Sequence, residues 1–248
     1  MAKRRLTRKE IKQPDQFVSF SVQVITWTKR HTKQLLYGAI GAMAVVGLVT
    51  GWSIWQKQRR QQAEGLLYEA VKVFNSANKS VQKPATEQTI GHLQNITQNY
   101  SRTPAAALAY WYLGHLYFEQ GNHTAALAAY EQARHRLSVD RGRLMPALVR
   151  LDIGYAQEMT GACNEALTSF ETVLQSSVDW LHGEAFLGMG RCYERLGAWD
   201  KATDIYSRAL SDRAVNSTIR QTLEERLSFF RTRNRALGES TLGKTTQP

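Results

Sequence analysis

The sequence predicts an all-α protein with a single membrane-spanning helix near its N-terminus. A solenoid of paired helices follows, and a capping helix ends it. Two observations predict this fold. Residues 35–55 are apolar and carry no charged side chain, and as a helix they cover roughly 31 Å, which matches the hydrocarbon core of a bilayer. Later stretches repeat one pattern of glycine, alanine and aromatic residues, which is typical of stacked helix pairs.

The flanks of the apolar segment predict its direction across the membrane. Nine Lys and Arg side chains precede the segment and three follow it closely. Cytoplasmic flanks carry an excess of basic residues, so we expect a cytoplasmic N-terminus, with residues from 56 onwards across the membrane. A cleaved signal peptide is the alternative. It would have a shorter apolar region and a small-residue cleavage site, whereas Trp55-Gln56-Lys57 follows here.

The basic tail, residues 1–34, explains most of the formal net charge of +11. Nine basic and two acidic side chains give residues 1–33 a net charge of +7. The high pI therefore does not indicate nucleic-acid binding, and the tail suits anionic lipid headgroups. After Pro14, apolar residues recur every three or four positions, which predicts an amphipathic helix. It can lie in the inner-leaflet interface or pack on a partner's cytoplasmic face, and both alternatives are open.

Within the span, two pairs of small residues predict a contact with another transmembrane helix. Gly38 and Ala42 form one pair, and Gly47 and Gly51 form the other. Small residues one turn apart let a second helix approach closely. Both a homo-oligomer and a contact with a multi-span complex remain open.

Residues 56–104 are predicted to hold connecting helices and a degenerate repeat. A helix continues from Gln56 to about Ala77, Asn78 to Pro84 break it, and a second helix covers 86–100.

Three stretches in residues 105–214 share one pattern when they are aligned on glycine. This pattern resembles the tetratricopeptide repeat, a pair of antiparallel helices. The resemblance implies that Gly114, Gly154 and Gly190 allow close helix crossings together with Ala126, Ala166 and Ala202, that Gly121, Gly161 and Gly197 form the turns, and that aromatic residues fill the space between units. The matching positions are Tyr110, Leu113, Gly114, Tyr117, Gly121, Ala126, Tyr130 and Ala133; Arg150, Ile153, Gly154, Gln157, Gly161, Ala166, Phe170 and Val173; and Phe186, Met189, Gly190, Tyr193, Gly197, Ala202, Tyr206 and Ala209.

The middle repeat departs from the pattern, since Arg150 and Gln157 stand where aromatic residues are expected. The spacing of the first two repeats also predicts a loop extension around Ser138 to Met145. A stacked array needs an end cap, and residues 215–238 fit one because Ile219, Leu223, Leu227 and Phe230 form an apolar stripe. We expect Gly238 to end this helix and residues 239–248 to be disordered.

The sequence contains no constellation that indicates an enzyme, a cofactor or a metal site. Its six histidines are scattered, without the paired spacing of metal ligands on one helix face. A phosphate-binding loop and a nucleophile elbow are also absent. Cys163 and Cys192 leave both a disulfide and two free thiols open.

The resemblance implies a groove lined by the first helix of each repeat, which is the usual place for a bound peptide. An aromatic groove suits extended polypeptide. Alternatively, Trp111 and Phe118 are core residues. The groove does not match the class of repeat that clamps a C-terminal carboxylate, which needs Lys and Asn at inward positions. The predicted inward residues are Trp111, His115 and Phe118; Leu151, Tyr155 and Glu158; and Leu187, Arg191 and Glu194.

The whole architecture resembles the bacterial YfgM-like proteins, and the tail sequence Lys-Gln-Pro-Asp-Gln-Phe at 12–17 is similar to tails of that family. The resemblance implies an accessory of the Sec translocon in the inner membrane. Its periplasmic repeats would hand exported polypeptides to chaperones, so translocon subunits, chaperones and exported chains are the expected partners. The alternative is a structural scaffold of a cell-envelope complex that binds one folded partner. The charge asymmetry disfavours a receptor with a cytosolic array.

Overall fold

The computed structural model describes residues 16–77, 83–137 and 142–242, and all regular elements in these residues are helices. The chain divides into two compact units, residues 1–58 and 59–248. The helices are α1 (Gln16–Arg30), α2 (Thr32–Ala77), α3 (Lys83–Asn99), α4 (Pro104–Glu119), α5 (His123–Arg136), α6 (Leu144–Met159), α7 (Cys163–Leu174), α8 (His182–Arg195), α9 (Trp199–Ser211) and α10 (Ser217–Leu242), with a short 3₁₀ helix at Asp179–Leu181.

The N-terminal unit contains the predicted amphipathic helix as α1 and the predicted span as part of α2. Among the described residues, α2 is the one helix long and apolar enough to cross a membrane, judged by length and composition. Its large apolar side chains are exposed, including Leu48 at 74% and Met43 at 67%. A Cβ built on Gly38, Gly47 or Gly51 would meet nothing within 4 Å. The predicted contact of these small residues with another helix therefore stays a prediction.

The second unit begins with a core that the C-terminal part of α2 forms with α3 and α4. Ala63, Ala70, Leu93 and Ile96 are buried in it. Helix α3 begins at Lys83, slightly before the predicted start, and residues 78–82 of the predicted break lie outside the described residues. The expected connecting helices are thus present, and they pack against α4, the first helix of the repeat array.

Three helix pairs, α4/α5, α6/α7 and α8/α9, follow the repeated pattern. In each pair an aromatic ring of the second helix lies directly against a glycine of the first. A Cβ on Gly190 would lie 2.0 Å from the ring of Tyr206, and equivalent Cβ atoms on Gly114 and Gly154 would lie 2.3 and 2.6 Å from Tyr130 and Phe170. The aromatic residues therefore fill the space within each unit as well as between units.

Glycine makes the turn inside each pair, as predicted. Gly121, Gly161 and Gly197 have φ values of +76°, +84° and +70°, in the left-handed region where a Cβ is unfavourable. The amide of the next residue then donates to a carbonyl five positions earlier, as in Asn122 N to Tyr117 O at 2.9 Å. Such bonds satisfy carbonyls at the end of the first helix.

The C-terminal helix α10 caps the array with its predicted apolar stripe. Ile219, Leu223, Leu227 and Phe230 are buried, and the Phe230 ring lies 6.2 Å from that of Tyr206. The Asn216 side chain accepts from the amide of Ile219 at 3.0 Å, which caps the start of the helix.

Two predicted boundaries need correction. Gly238 does not end α10, which continues to Leu242, so residues 239–242 are helical rather than disordered. An interior glycine costs a helix only about 1 kcal/mol and does not by itself terminate it. Leu144 and Met145 begin α6 rather than extend a loop. Residues 1–15, 138–141 and 243–248 of the predicted tail, loop and C-terminus lie outside the described residues.

Cys163 and Cys192 are free thiols buried in one core cluster. Burial raises the pKa of Cys192, and a hydrogen bond with Cys163 raises it further. The Cys192 thiol therefore stays protonated. Of the two alternatives left open by the sequence, the structure has the unpaired one.

Candidate polypeptide-binding groove

Four of the nine predicted inward residues, Phe118, Tyr155, Glu158 and Arg191, line one cavity of about 470 Å³. Phe118 comes from α4, Tyr155 from α6 and Arg191 from α8. The first helices of three successive repeats therefore contribute to one surface, as the repeat pattern implies. The remaining lining residues are Met159 and Arg195.

A buried ion pair forms the polar base of this cavity. Glu158 is only 2% exposed, and both of its carboxylate oxygens accept from Arg191, at 2.8 and 2.7 Å. Arg195 donates to the Glu158 carbonyl at 2.7 Å. Burial alone would lower the pKa of Arg191, but the Glu158 carboxylate raises it above its ordinary value. The carboxylate is fully used inside the protein, so it holds α6 to α8 rather than offering a ligand contact.

Tyr155 presents its ring to the cavity, while its hydroxyl is already bonded. The hydroxyl donates to Glu184 Oε2 at 2.7 Å, and the Arg191 guanidinium lies 5.5 Å from the ring centroid. Burial raises the pKa of Tyr155, and the Glu184 carboxylate raises it further. The hydroxyl is thus neutral and engaged within the array. What remains for a partner is apolar ring surface.

Phe118 and Met159 complete the apolar part of the cavity. Met159 is 44% exposed, and Phe118 is half-buried with its ring 4.8 Å from that of His123. A methionine thioether adapts to irregular shapes and packs well on aromatic rings. The cavity therefore fits an apolar side chain of an extended segment, with Arg195 at its rim.

Trp111 and His115 lie elsewhere, at the contact between α4 and α6. Trp111 Nε1 donates to Asp152 Oδ2 at 2.6 Å, and His115 Nε2 lies 3.4 Å from the same oxygen. The His115 ring also lies 4.6 Å from that of Trp111. These residues hold two repeats together and do not line the cavity, so the packing alternative describes Trp111 better than the groove assignment.

Leu151 was predicted in the groove, and this prediction is wrong. It is 5% exposed and belongs to the core cluster that also contains Phe186 and Leu187. Leu151 lies on the face of α6 that packs against neighbouring helices, whereas Tyr155, Glu158 and Met159 of the same helix line the cavity. Glu194, another inward position, accepts from the Tyr206 hydroxyl at 2.5 Å and from Arg226 at 3.1 Å, which ties α8 to α9 and α10.

Met159 and Arg195 were missed in the sequence. Each lies one helical turn after a residue that was identified, Tyr155 and Arg191 respectively, and residues four apart share a helix face. Extending each predicted stripe by one turn would have found both. Among the described residues, no group of three His, Cys, Asp or Glu side chains is placed to hold a metal ion.

Comparison with solved structures finds several chains of low sequence identity. One is "Crystal structure of MamA protein", 19% identical, which covers 60% of this chain and 72% of that chain with a TM-score of 0.49. Another is "MamA 41-end from Desulfovibrio magneticus RS-1", 12% identical, which covers 72% of this chain and 97% of that chain with a TM-score of 0.46. No curated protein matches the chain.

The family comparison covers most of the sequence. A family described as "Tetratricopeptide repeat-like domain" matches residues 26–229, which include all three helix pairs and most of the helices that flank them. The fold agrees with this match, because each pair shows the glycine-to-ring crossing and the glycine turn. The chain belongs to the family of tetratricopeptide repeat-like domain proteins.

Proposed function

We propose that this protein is a membrane-anchored adaptor whose repeat array binds extended polypeptide in the cavity of Phe118, Tyr155 and Met159. One observation carries the proposal. The charged and polar groups of Glu158, Arg191 and the Tyr155 hydroxyl are bonded to one another or to other residues of the array. The surface left for a partner is thus mainly apolar and adaptable, with Arg195 at its rim. Such a surface favours partners that differ in sequence over one fixed polar match.

In this proposal α2 crosses the membrane through residues 35–55. The exposed apolar side chains of this segment, such as Leu36, Leu48 and Trp52, would be unfavourable in water and favourable in lipid. The excess of basic residues before the segment supports a cytoplasmic N-terminus and an array on the exported side. We place the array in the periplasm of a bacterium on this basis.

The finer proposal is an accessory role at the Sec translocon, with transfer of exported polypeptides to periplasmic chaperones. It rests on the architecture of tail, span and repeats that resembles the YfgM-like proteins. Gly38, Ala42, Gly47 and Gly51 would then contact a translocon helix, because they leave the span surface open to close approach.

In-cell photo-crosslinking tests both levels of the proposal. A photoreactive residue is placed at Phe118 or Met159 in the cavity, at Gly47 in the span, and at exposed Glu224 of α10 as the matched control. We expect many exported polypeptides at the two cavity positions, few at Glu224, and translocon subunits at Gly47.

Three other outcomes separate the alternatives. One dominant folded partner at both cavity positions would replace client binding by a fixed envelope scaffold. Equal capture at Phe118 and Glu224 would refute the cavity as a binding site. Purely cytosolic proteins at the cavity would show that the topology is reversed.

A further inference from the structure

A second cavity, of about 720 Å³, lies at the other end of α6 from the groove. It is formed by Arg143, by the N-terminal half of α6 as far as Arg150, by the C-terminal end of α5, and by the end of α7 with the residues that follow it. The groove uses Tyr155 to Met159 of the same helix. Its volume is within the range of ligand pockets, and three arginines line it: Arg134, Arg143 and Arg150.

This cavity exists because the middle repeat differs from its neighbours at matching positions. In the first pair, Arg136 lies over the Tyr110 ring at 4.6 Å, and in the third pair Arg208 lies over the Phe186 ring at 5.9 Å. The middle pair has Arg150 in place of the ring. Ser176 stands at the position of Arg136, and Thr172 stands at the position of Arg208. Both residues line the cavity. A large ring and a long side chain are therefore replaced by open space and an arginine.

Among the described residues, Glu131 supplies the negative charge that faces the arginines of this cavity. Arg134 donates to Glu131 at 2.7 Å, and Arg143 donates to the neutral Ser177 hydroxyl at 3.0 Å. Among the described residues, Arg150 has no hydrogen-bond or ion-pair partner. Burial lowers the pKa of Arg150 and repulsion from Arg134 lowers it further, while the Glu131 carboxylate opposes both effects without cancelling them. An anion in the cavity would relieve this repulsion.

We propose that this arginine cavity binds a carboxylate-rich segment of a partner polypeptide. The planar guanidinium forks of Arg143 and Arg150 match carboxylates with paired hydrogen bonds. A nucleic acid fits less well, because none of the described residues that line the cavity is aromatic and single strands bind largely by stacking on rings. The inference rests on the proposed role in polypeptide binding, but it assigns a second site with opposite chemistry to the apolar groove.

The test measures binding of fluorescein-labelled octaglutamate to the full chain in lipid nanodiscs by fluorescence anisotropy, at about 0.15 M salt. The basic tail is present in every variant and contributes equally. We expect Arg150→Gln to weaken binding about 10-fold and Arg143→Gln several-fold, since each removes a charge-assisted contact. The matched control is Arg213→Gln, an exposed arginine away from the cavity, with less than about a 2-fold effect.

Equal effects of Arg150→Gln and Arg213→Gln would overturn the proposal, because the affinity for octaglutamate would then depend on the net charge of the protein alone. Displacement of octaglutamate by an equal concentration of octathymidylate would overturn the assignment to polypeptide. Met159→Ala in the groove should leave octaglutamate binding unchanged, so failure here and failure of the groove proposal are separate results. Arg143 is exposed, so its variant keeps the test valid if Arg150→Gln proves unstable.

Discussion

The middle repeat and its two neighbours share the same packing of glycine on aromatic ring but differ at one position of the first helix and in the space around it. In all three, a glycine of the first helix meets an aromatic ring of the second. Two of them then stack an arginine on a ring at Tyr110 and Phe186, whereas the middle repeat has Arg150 at that position and a cavity around it.

This difference shows how one repeat fold carries a distinct site. The glycine-to-ring crossing sets the distance between the paired helices, so it tolerates little change. The position of Tyr110, Arg150 and Phe186 varies between the repeats: Phe186 is buried in the core, whereas Arg150 is half-buried and lines a cavity. Substitutions at both kinds of position test this division, beginning with the largest expected effect.

The internal crossing should be the most sensitive feature. Gly190→Ala would place a Cβ 2.0 Å from the buried Tyr206 ring, and we expect the free energy of unfolding to fall by roughly 3 kcal/mol through overpacking. Gly91→Ala is the matched control, since a Cβ there meets nothing within 4 Å in the middle of α3. It should raise stability by up to about 1 kcal/mol. Thermal unfolding followed by circular dichroism measures both, and equal shifts would contradict a special role for the crossing.

The ion pair between repeats should come next. Glu158→Gln removes the charge that Arg191 meets with two hydrogen bonds, while the Gln side chain keeps the volume. The Arg191 side chain is 32% exposed, so water offsets part of the loss and we expect about 2 kcal/mol of destabilisation. Exposed Glu224→Gln serves as the control and should change stability by less than about 0.5 kcal/mol. A loss of similar size at Glu224 would show a general effect of charge.

A smaller effect is expected at the contact between α4 and α6. Trp111→Phe keeps an aromatic ring but removes the Nε1 donor to Asp152, which should lower stability by about 1 kcal/mol. Trp180→Phe is the control, because Trp180 is 58% exposed. Denaturant unfolding of the two variants gives the difference. If Trp111→Phe is as stable as Trp180→Phe, the hydrogen bond contributes nothing measurable between the repeats.

The parts predicted correctly from the sequence depend on local conformation. Gly121 and Gly161 mark turns because only a residue without a Cβ adopts their φ readily, and the glycine-to-ring spacing recurs in every pair. Arg150 is recognisable in the sequence as a departure from the repeat pattern. Its cavity is not, because the open space also depends on Thr172 and Ser176, at and after the end of α7, which line the same cavity. Leu151 was misplaced for the same reason, since burial by neighbouring helices is not visible in the spacing along one helix.

The smallest change in stability should come from converting the middle repeat to the pattern of its neighbours. Arg150→Phe places an aromatic side chain where the others have Tyr110 and Phe186, and it removes the repulsion between Arg150 and Arg134. The cavity has room for the ring, so we expect a change within about 0.5 kcal/mol. Octaglutamate binding should nevertheless fall as far as with Arg150→Gln.

Thermal unfolding and fluorescence anisotropy are both measured on the Arg150→Phe variant. Together they separate the contribution of residue 150 to stability from its contribution to octaglutamate binding. A large loss of stability with Arg150→Phe would mean that Arg150 is part of the packing between repeats rather than a surface specialisation. Retained octaglutamate binding would place the anion contact on Arg134 and Arg143 alone, although Arg150 is the one of the three without a partner among the described residues. Unchanged stability together with lost binding would show that the fold depends on the contact of Gly154 with Phe170, whereas ligand binding depends on residue 150.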